Sequence, residues 1–151
     1  MLKWLVRGIA LVLAGFLLIQ LVPYGRDHAN PPVTGEPAWD SAATRALAVR
    51  ACFDCHSNET AYPWYSNVAP VSWLLARHVS EGRHKLNFST WATGRQEAEH
   101  VARLITKGEM PSWDYVLMHP EARLTDAEKQ QLIDGLAKTL GVSGEAGGDD
   151  D

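Results

Sequence analysis

Cys52-Phe53-Asp54-Cys55-His56 holds the only two cysteines of this chain, three positions apart, with a histidine directly after the second. That is the C-x-x-C-H spacing of covalent haem attachment. Each thiol can add across one vinyl group of a haem, and the adjacent histidine then lies under the iron as its proximal ligand. Three other chemistries use similar residues. A structural zinc site needs four protein ligands, usually from paired knuckles, and with no second C-x-x-C or H-x-x-H it would have to recruit distant histidines such as His78 or His100. A thioredoxin-like redox pair belongs on a βαβ pattern, whereas the residues before Cys52 read as helix with no strand. A small-loop disulfide leaves His56 without a role. Haem is the reading that uses all three side chains.

The amino terminus gives the first context. Lys3 and Arg7 precede an apolar stretch from Gly8 to Val22 that only Gln20 interrupts. With Trp4 to Val6 included and Arg7 snorkelling, it approaches the roughly 20 residues that span a bilayer. No A-x-A-like cleavage site follows, so residues 1–22 read as an uncleaved signal anchor. Basic residues before the span outnumber Arg26 after it, which keeps the amino terminus in the cytoplasm and exports the rest. For a bacterial chain this predicts a single-pass inner-membrane protein with its domain in the periplasm.

Residues 23–38 carry Pro23, Pro31, Pro32 and Pro37 with Gly25 and Gly35, and read as a semi-extended linker holding the domain a short distance off the membrane. Residues 39–141 form the domain, and 142–151 an acidic, glycine-rich tail with nothing apolar to bury. With Lys3, Arg7 and Arg26 set aside, 11 of the 14 basic residues face all 18 acidic ones, a formal −7 for residues 27–151. A surface of that sign argues against nucleic acid as a partner. About a hundred residues make one small core, to which a covalently held haem would add a large apolar plate.

Four helices are predicted in the domain, and no alternating strand. The first runs from an Asp40/Ser41 cap through Ala46, Leu47, Ala48, Val49 and Ala51, delivering the cysteines at its end. The second starts at Pro70 and carries Val71, Leu74, Leu75, His78 and Val79 at helical spacing. A Thr93…Gln96 capping box opens the third, with a stripe at Val101, Leu104 and Ile105 and a stop at Gly108. The fourth opens with Thr125…Glu128 and buries Leu132, Ile133, Leu136 and Leu140. The expected fold is all-α: a small cytochrome c-like helical domain behind the anchor.

Gly108-Glu109-Met110-Pro111 falls between the third and fourth helices, where a small c-type cytochrome presents its methionine. A thioether is a soft ligand for haem iron, and paired with histidine it raises the reduction potential relative to two histidines. Met110 is therefore the expected sixth ligand. Met118, His78, His84, His100 and His119 are the competitors, His78 and His119 the better placed among the histidines. A vacant sixth position is the third possibility. The aromatic run Tyr62-Pro63-Trp64-Tyr65, with Trp73 and Trp91, is expected to wall the haem cleft and fill core.

Five strings carry a resemblance: CFDCHSNET at 52–60, PWYSNVAPVSWL at 63–74, HVSEGRHKLNFSTW at 78–91, GEMP at 108–111 and HPEARLT at 119–125. Together they resemble the membrane-anchored haem-binding domain family, a single-haem c-type group, over nearly the whole exported domain. The resemblance implies one haem c on Cys52 and Cys55 with His56 proximal, and brings no established reaction. Two function classes follow. One is a membrane-tethered electron carrier whose partner is a redox protein at the periplasmic face. The other is a peroxidase-like haem enzyme or small-ligand sensor, which requires an open or displaceable sixth site; no catalytic constellation beyond the haem is legible.

Overall fold

The computed structural model describes residues 1–91 and 101–140. Among them it is all-α: α1 (Leu2–Ile19), α2 (Ala42–Ala51), α3 (Phe53–His56), α4 (Val71–Lys85), α5 (Val101–Thr106), α6 (Trp113–Met118) and α7 (Asp126–Leu140). Short 3₁₀ turns lie at Trp64–Asn67 and Pro120–Ala122, and the sole β-pairing among the described residues is an isolated bridge between Gly35 and Thr90.

Local chemistry sets most boundaries. Ser41 caps α2, its hydroxyl accepting from the Thr44 N–H at 3.1 Å. Thr125 and Glu128 cap α7 reciprocally: the Thr125 N–H donates to Glu128 Oε2 at 2.8 Å and the Glu128 N–H to Thr125 Oγ1 at 3.2 Å. Pro70 sits one position before α4, as its N-cap, not within its first turn. The Thr93…Gln96 box lies outside the described residues; within them α5 carries the predicted stripe at Val101, Leu104 and Ile105.

The core lies between α2, α5 and α7. Leu47, Ala48, Ala51, Ile105, Leu132 and Leu136 bury there, closed on one side by Phe53, Leu86 and Phe88. Three rings form its aromatic corner: Trp39 to Phe88 at 5.1 Å, Phe53 to Phe88 at 5.5 Å and Trp39 to Phe53 at 6.2 Å between centroids. Phe53 lies inside the C-x-x-C-H string, so the string is fastened to the core by the residue between its cysteines. Trp91 also packs against this core.

Helix α1 is apolar apart from Lys3 and Arg7 near its start, with a mean hydropathy of 2.0 and no buried residue, and by length and composition it can cross a membrane. Its end is not free. Gln20 donates from Nε2 to the Ala69 carbonyl at 2.9 Å and accepts the Ala69 N–H at 3.0 Å on Oε1. From there residues 23–38 run without regular structure, turning at Tyr24–Gly25, and lie along the domain. His28 stacks on Tyr62 at 4.4 Å. The Asn58 side chain donates to the Pro32 carbonyl at 3.0 Å, and Thr34 N–H to the Ser89 carbonyl at 2.9 Å.

Candidate functional site

Helix α2 ends at Cys52, whose N–H donates to the Ala48 carbonyl at 2.8 Å, and α3 starts at once with Cys52 as its N-cap. Both cysteines line the same cleft. Each cysteine is part-exposed and free. Burial of the sulfur pushes the thiol up in both cases, to about 12 for Cys52 and about 11 for Cys55, the latter helped by Asp54 and Asp114. Both therefore stay as S–H groups at neutral pH.

His56 is held by α4. Its Nδ1 lies 3.0 Å from the Gly82 carbonyl and 3.0 Å from the Leu86 carbonyl. Two acceptors on one ring nitrogen require that nitrogen to carry the proton, so Nε2 is left with its lone pair. Burial lowers the pKa of the ring and keeps it neutral, while the two carbonyls oppose that shift without reversing it. A neutral imidazole with Nδ1 tied to carbonyls is the form in which histidine binds a metal through Nε2. The approach needs glycine at 82: a Cβ there would run into the Cys55 carbonyl oxygen, which is why α4 can cross α3 so closely.

Cys52, Cys55, His56 and Met110 line one cleft of 420 Å³, with Lys85, Pro111 and Asp114 among its walls. Gly108 supplies the turn that returns Met110 to it. At φ 71° it ends α5 in a left-handed turn, with the Glu109 N–H donating to the Leu104 carbonyl at 2.9 Å and the Gly108 N–H to Ile105 at 3.0 Å. Met110 N–H then donates to the same Leu104 carbonyl at 3.2 Å, fixing its backbone. A second cleft of 370 Å³ shares Cys55, His78, Trp113, Asp114 and Tyr115 with the first and is walled by Trp64, Leu74, Leu75, Val79, Leu117 and Met118. Joined, the two give an elongated and largely apolar seat. Two thiols, one nitrogen lone pair and one thioether around it fit an iron porphyrin, whose faces need apolar walls and whose metal takes nitrogen and soft sulfur. The aromatic run contributes to these walls through Pro63, Trp64 and Tyr65.

The other candidates separate clearly. His119 has both ring nitrogens occupied, Nε2 at 2.9 Å from the Tyr65 hydroxyl and Nδ1 at 3.2 Å from Glu121, and it stacks on Tyr115 at 4.4 Å. His78 lines both clefts, with Nδ1 3.7 Å from Asp114. Met118 lines only the second cleft, His84 is exposed and lines neither, and His100 lies outside the described residues. Among the described residues no three His, Cys, Asp or Glu side chains converge as a metal cluster, so the zinc alternative has no donor set there.

Two contributors were missing from the sequence analysis. Helix α6 walls both clefts, and its Tyr115 hydroxyl donates to Asp54 Oδ2 at 2.7 Å, tying the wall to the C-x-x-C-H string. Burial first, then that carboxylate, raises the Tyr115 hydroxyl well above its ordinary range, so it remains a donor. Ser112 followed by apolar residues at 113, 116 and 117 is the signal that marks this helix. The second is Arg83, which donates to the Ser57 and Ala29 carbonyls at 2.7 and 2.9 Å and to Thr60 Oγ1 at 3.0 Å. It pins the loop after His56 to α4 and to the segment following α1.

No curated protein and no solved structure matches the chain. A family model described as a haem-binding domain does, over residues 14–138, from the last turn and a half of α1 through most of α7. That span contains every residue of the cleft. The chain belongs to the haem-binding domain family.

Proposed function

We propose that the protein is a membrane-tethered mono-haem c-type electron carrier. A haem in this cleft supplies one-electron chemistry, its iron cycling between two oxidation states. Cys52 and Cys55 would hold it as thioethers, the S–H of each adding across a vinyl group with no oxidant consumed, so both sulfurs have to be reduced thiols. His56 would offer Nε2 to the iron, its bonds to the Gly82 and Leu86 carbonyls making it a stronger donor and fixing its plane. Met110 would supply the second protein ligand. With both ligands held by the fold, the site would exchange electrons without making or breaking bonds. The partner is a redox protein in the same compartment. The exported domain faces the periplasm, held by α1 in the inner membrane.

The observation that carries this reading is the convergence of His56, with Nδ1 already spent, with both thiols and Met110 on one cleft. Two measurements test it. Produced with a haem-ligating export system, the protein is expected to keep its haem through acid-acetone extraction, and Cys52→Ala with Cys55→Ala to release it. The oxidised protein is expected to show the weak near-infrared sulfur-to-iron band of His/Met ligation. Met110→Ala should abolish the band, lower the potential and admit carbon monoxide. Rapid carbon monoxide binding by the unmodified reduced protein would replace the carrier with the sensor or peroxidase-like reading.

A further inference from the structure

The end of α1 and the start of α4 are built as one joint. Gln20, the single polar residue in the apolar run, spends its amide on both backbone groups of Ala69, and Arg26 donates to Gln20 Oε1 at 3.0 Å. Gly25 packs directly on the Ser72 carbonyl and Ala76, so the chain leaving α1 follows the first turns of α4. Unlike a linker free to swing, this joint gives the domain one orientation relative to α1.

Charge is distributed accordingly. Charged residues are 21% of the chain, yet residues 61–76 contain none, and residues 8–25 contain none. The Gln20–Ala69 pair joins these two uncharged stretches. Around it the exposed side chains include Leu21, Tyr24, Trp64 and Val71, the last two also at the outer edge of the second cleft, with Asn67 and Arg26 the polar groups beside them. A surface collar of this kind beside a soluble protein's helix would be an aggregation hazard; at the foot of a membrane span it matches the interfacial layer, where Trp and Tyr concentrate and charge is scarce.

We infer that the 61–76 face, and not α1 alone, docks on the lipid bilayer, seating the domain on the membrane with the start of α4 at headgroup level. This rests on reading α1 as a membrane span. The docking bounds the height of the site. His56 is bonded to Gly82, eleven residues into α4 from Val71, so at about 1.5 Å per residue the helix carries the site no more than roughly 17 Å beyond its own start next to the joint, whatever the tilt of α4. The second cleft runs along the same face of α4, from Val71 to Val79, so its apolar end lies on the membrane side.

The test uses the full-length holoprotein in liposomes, with single cysteines carrying an environment-sensitive fluorophore at Leu11→Cys in α1, Asn67→Cys beside the joint and Asp134→Cys on α7. Quenching by nitroxide-bearing lipid is compared with quenching by aqueous iodide at each site, a ratio in which dimming by the haem cancels. Docking predicts a ratio severalfold higher at position 67 than at 134, and a fall toward the 134 value when Gln20→Ala is added. A high ratio at 11 with equal ratios at 67 and 134 would overturn the docked face while leaving the span intact. A low ratio at 11 would overturn the span, and the docking with it.

Discussion

Gly82→Ala pits two known effects against each other. In an ordinary helix interior, alanine replaces glycine with a gain of about 1 kcal/mol, because less backbone freedom is lost on folding. At position 82 the new methyl would meet the Cys55 carbonyl oxygen, with the carbonyl carbon 3.0 Å away and the Cys55 Cβ at 3.1 Å. The obstacle is backbone of the C-x-x-C-H string, which Phe53 fastens to the core and which cannot rotate aside. Overpacking of this kind costs roughly 1–3 kcal/mol. Moving α4 outward also stretches the two bonds from His56 Nδ1, each a net contribution of roughly 0.5–1.5 kcal/mol. The clash and the loosened bonds outweigh the propensity gain, leaving the variant less stable by about 1 kcal/mol or more. For a domain of this size that is a fall in Tm of at least about 4 °C. Thermal unfolding of the holoprotein, followed through the haem absorption, measures it. A second readout has its own sign: weaker Nδ1–H bonds make the imidazole a poorer donor to ferric iron, so the midpoint potential should rise. A Tm equal to or above that of the parent would refute the close α3–α4 crossing and the account of how His56 is oriented.

Two further outcomes test the core and the caps. Phe88 is fully buried against Phe53 and Trp39, so Phe88→Ala should cost about 3–5 kcal/mol in denaturant unfolding, with the loss concentrated at the corner that fastens the haem-binding string. Glu128 is held down to about 2 by the Thr125 backbone N–H first and by the Arg50 and Thr125 side chains next. Its carboxylate therefore contributes stability that is fully present above its ordinary value near 4.5 and is lost as pH falls toward 2. Glu128→Gln should flatten the acid limb of the stability profile across that window while leaving the haem spectrum unchanged; an unaltered acid limb would show that the cap and the Arg50 pair carry no weight.

The spacing C-x-x-C-H, the apolar amino-terminal run and four helical periodicities were legible because each is a local pattern whose meaning is set within a few residues. Ser41, the Thr125…Glu128 box and Gly108 mark ends by satisfying backbone groups nearby, so they too are written in the sequence. Other features depend on residues far apart in the chain. Nothing local says that Gly82 exists to let the Cys55 carbonyl approach, or that the Gly82 and Leu86 carbonyls both accept from His56 Nδ1. Helix α6 is six residues long, too short for periodicity to speak loudly, and it is held by Tyr115 reaching a carboxylate sixty-one positions away. The proline-rich segment reads as a semi-extended linker because prolines and glycines favour extended backbone in any context; it is the side chains of Asn58 and Arg83, arriving from elsewhere, that bond it to the domain. Gln20 looked like a blemish in an apolar helix until the fold brought Ala69 against it. The sequence by itself thus determined the chemistry offered and the helices that offer it, since both follow from near neighbours. Only the tertiary structure decided which His56 ring nitrogen is left without a partner, which helices wall the cleft and how the domain meets α1, because those are contacts between segments that folding alone brings together.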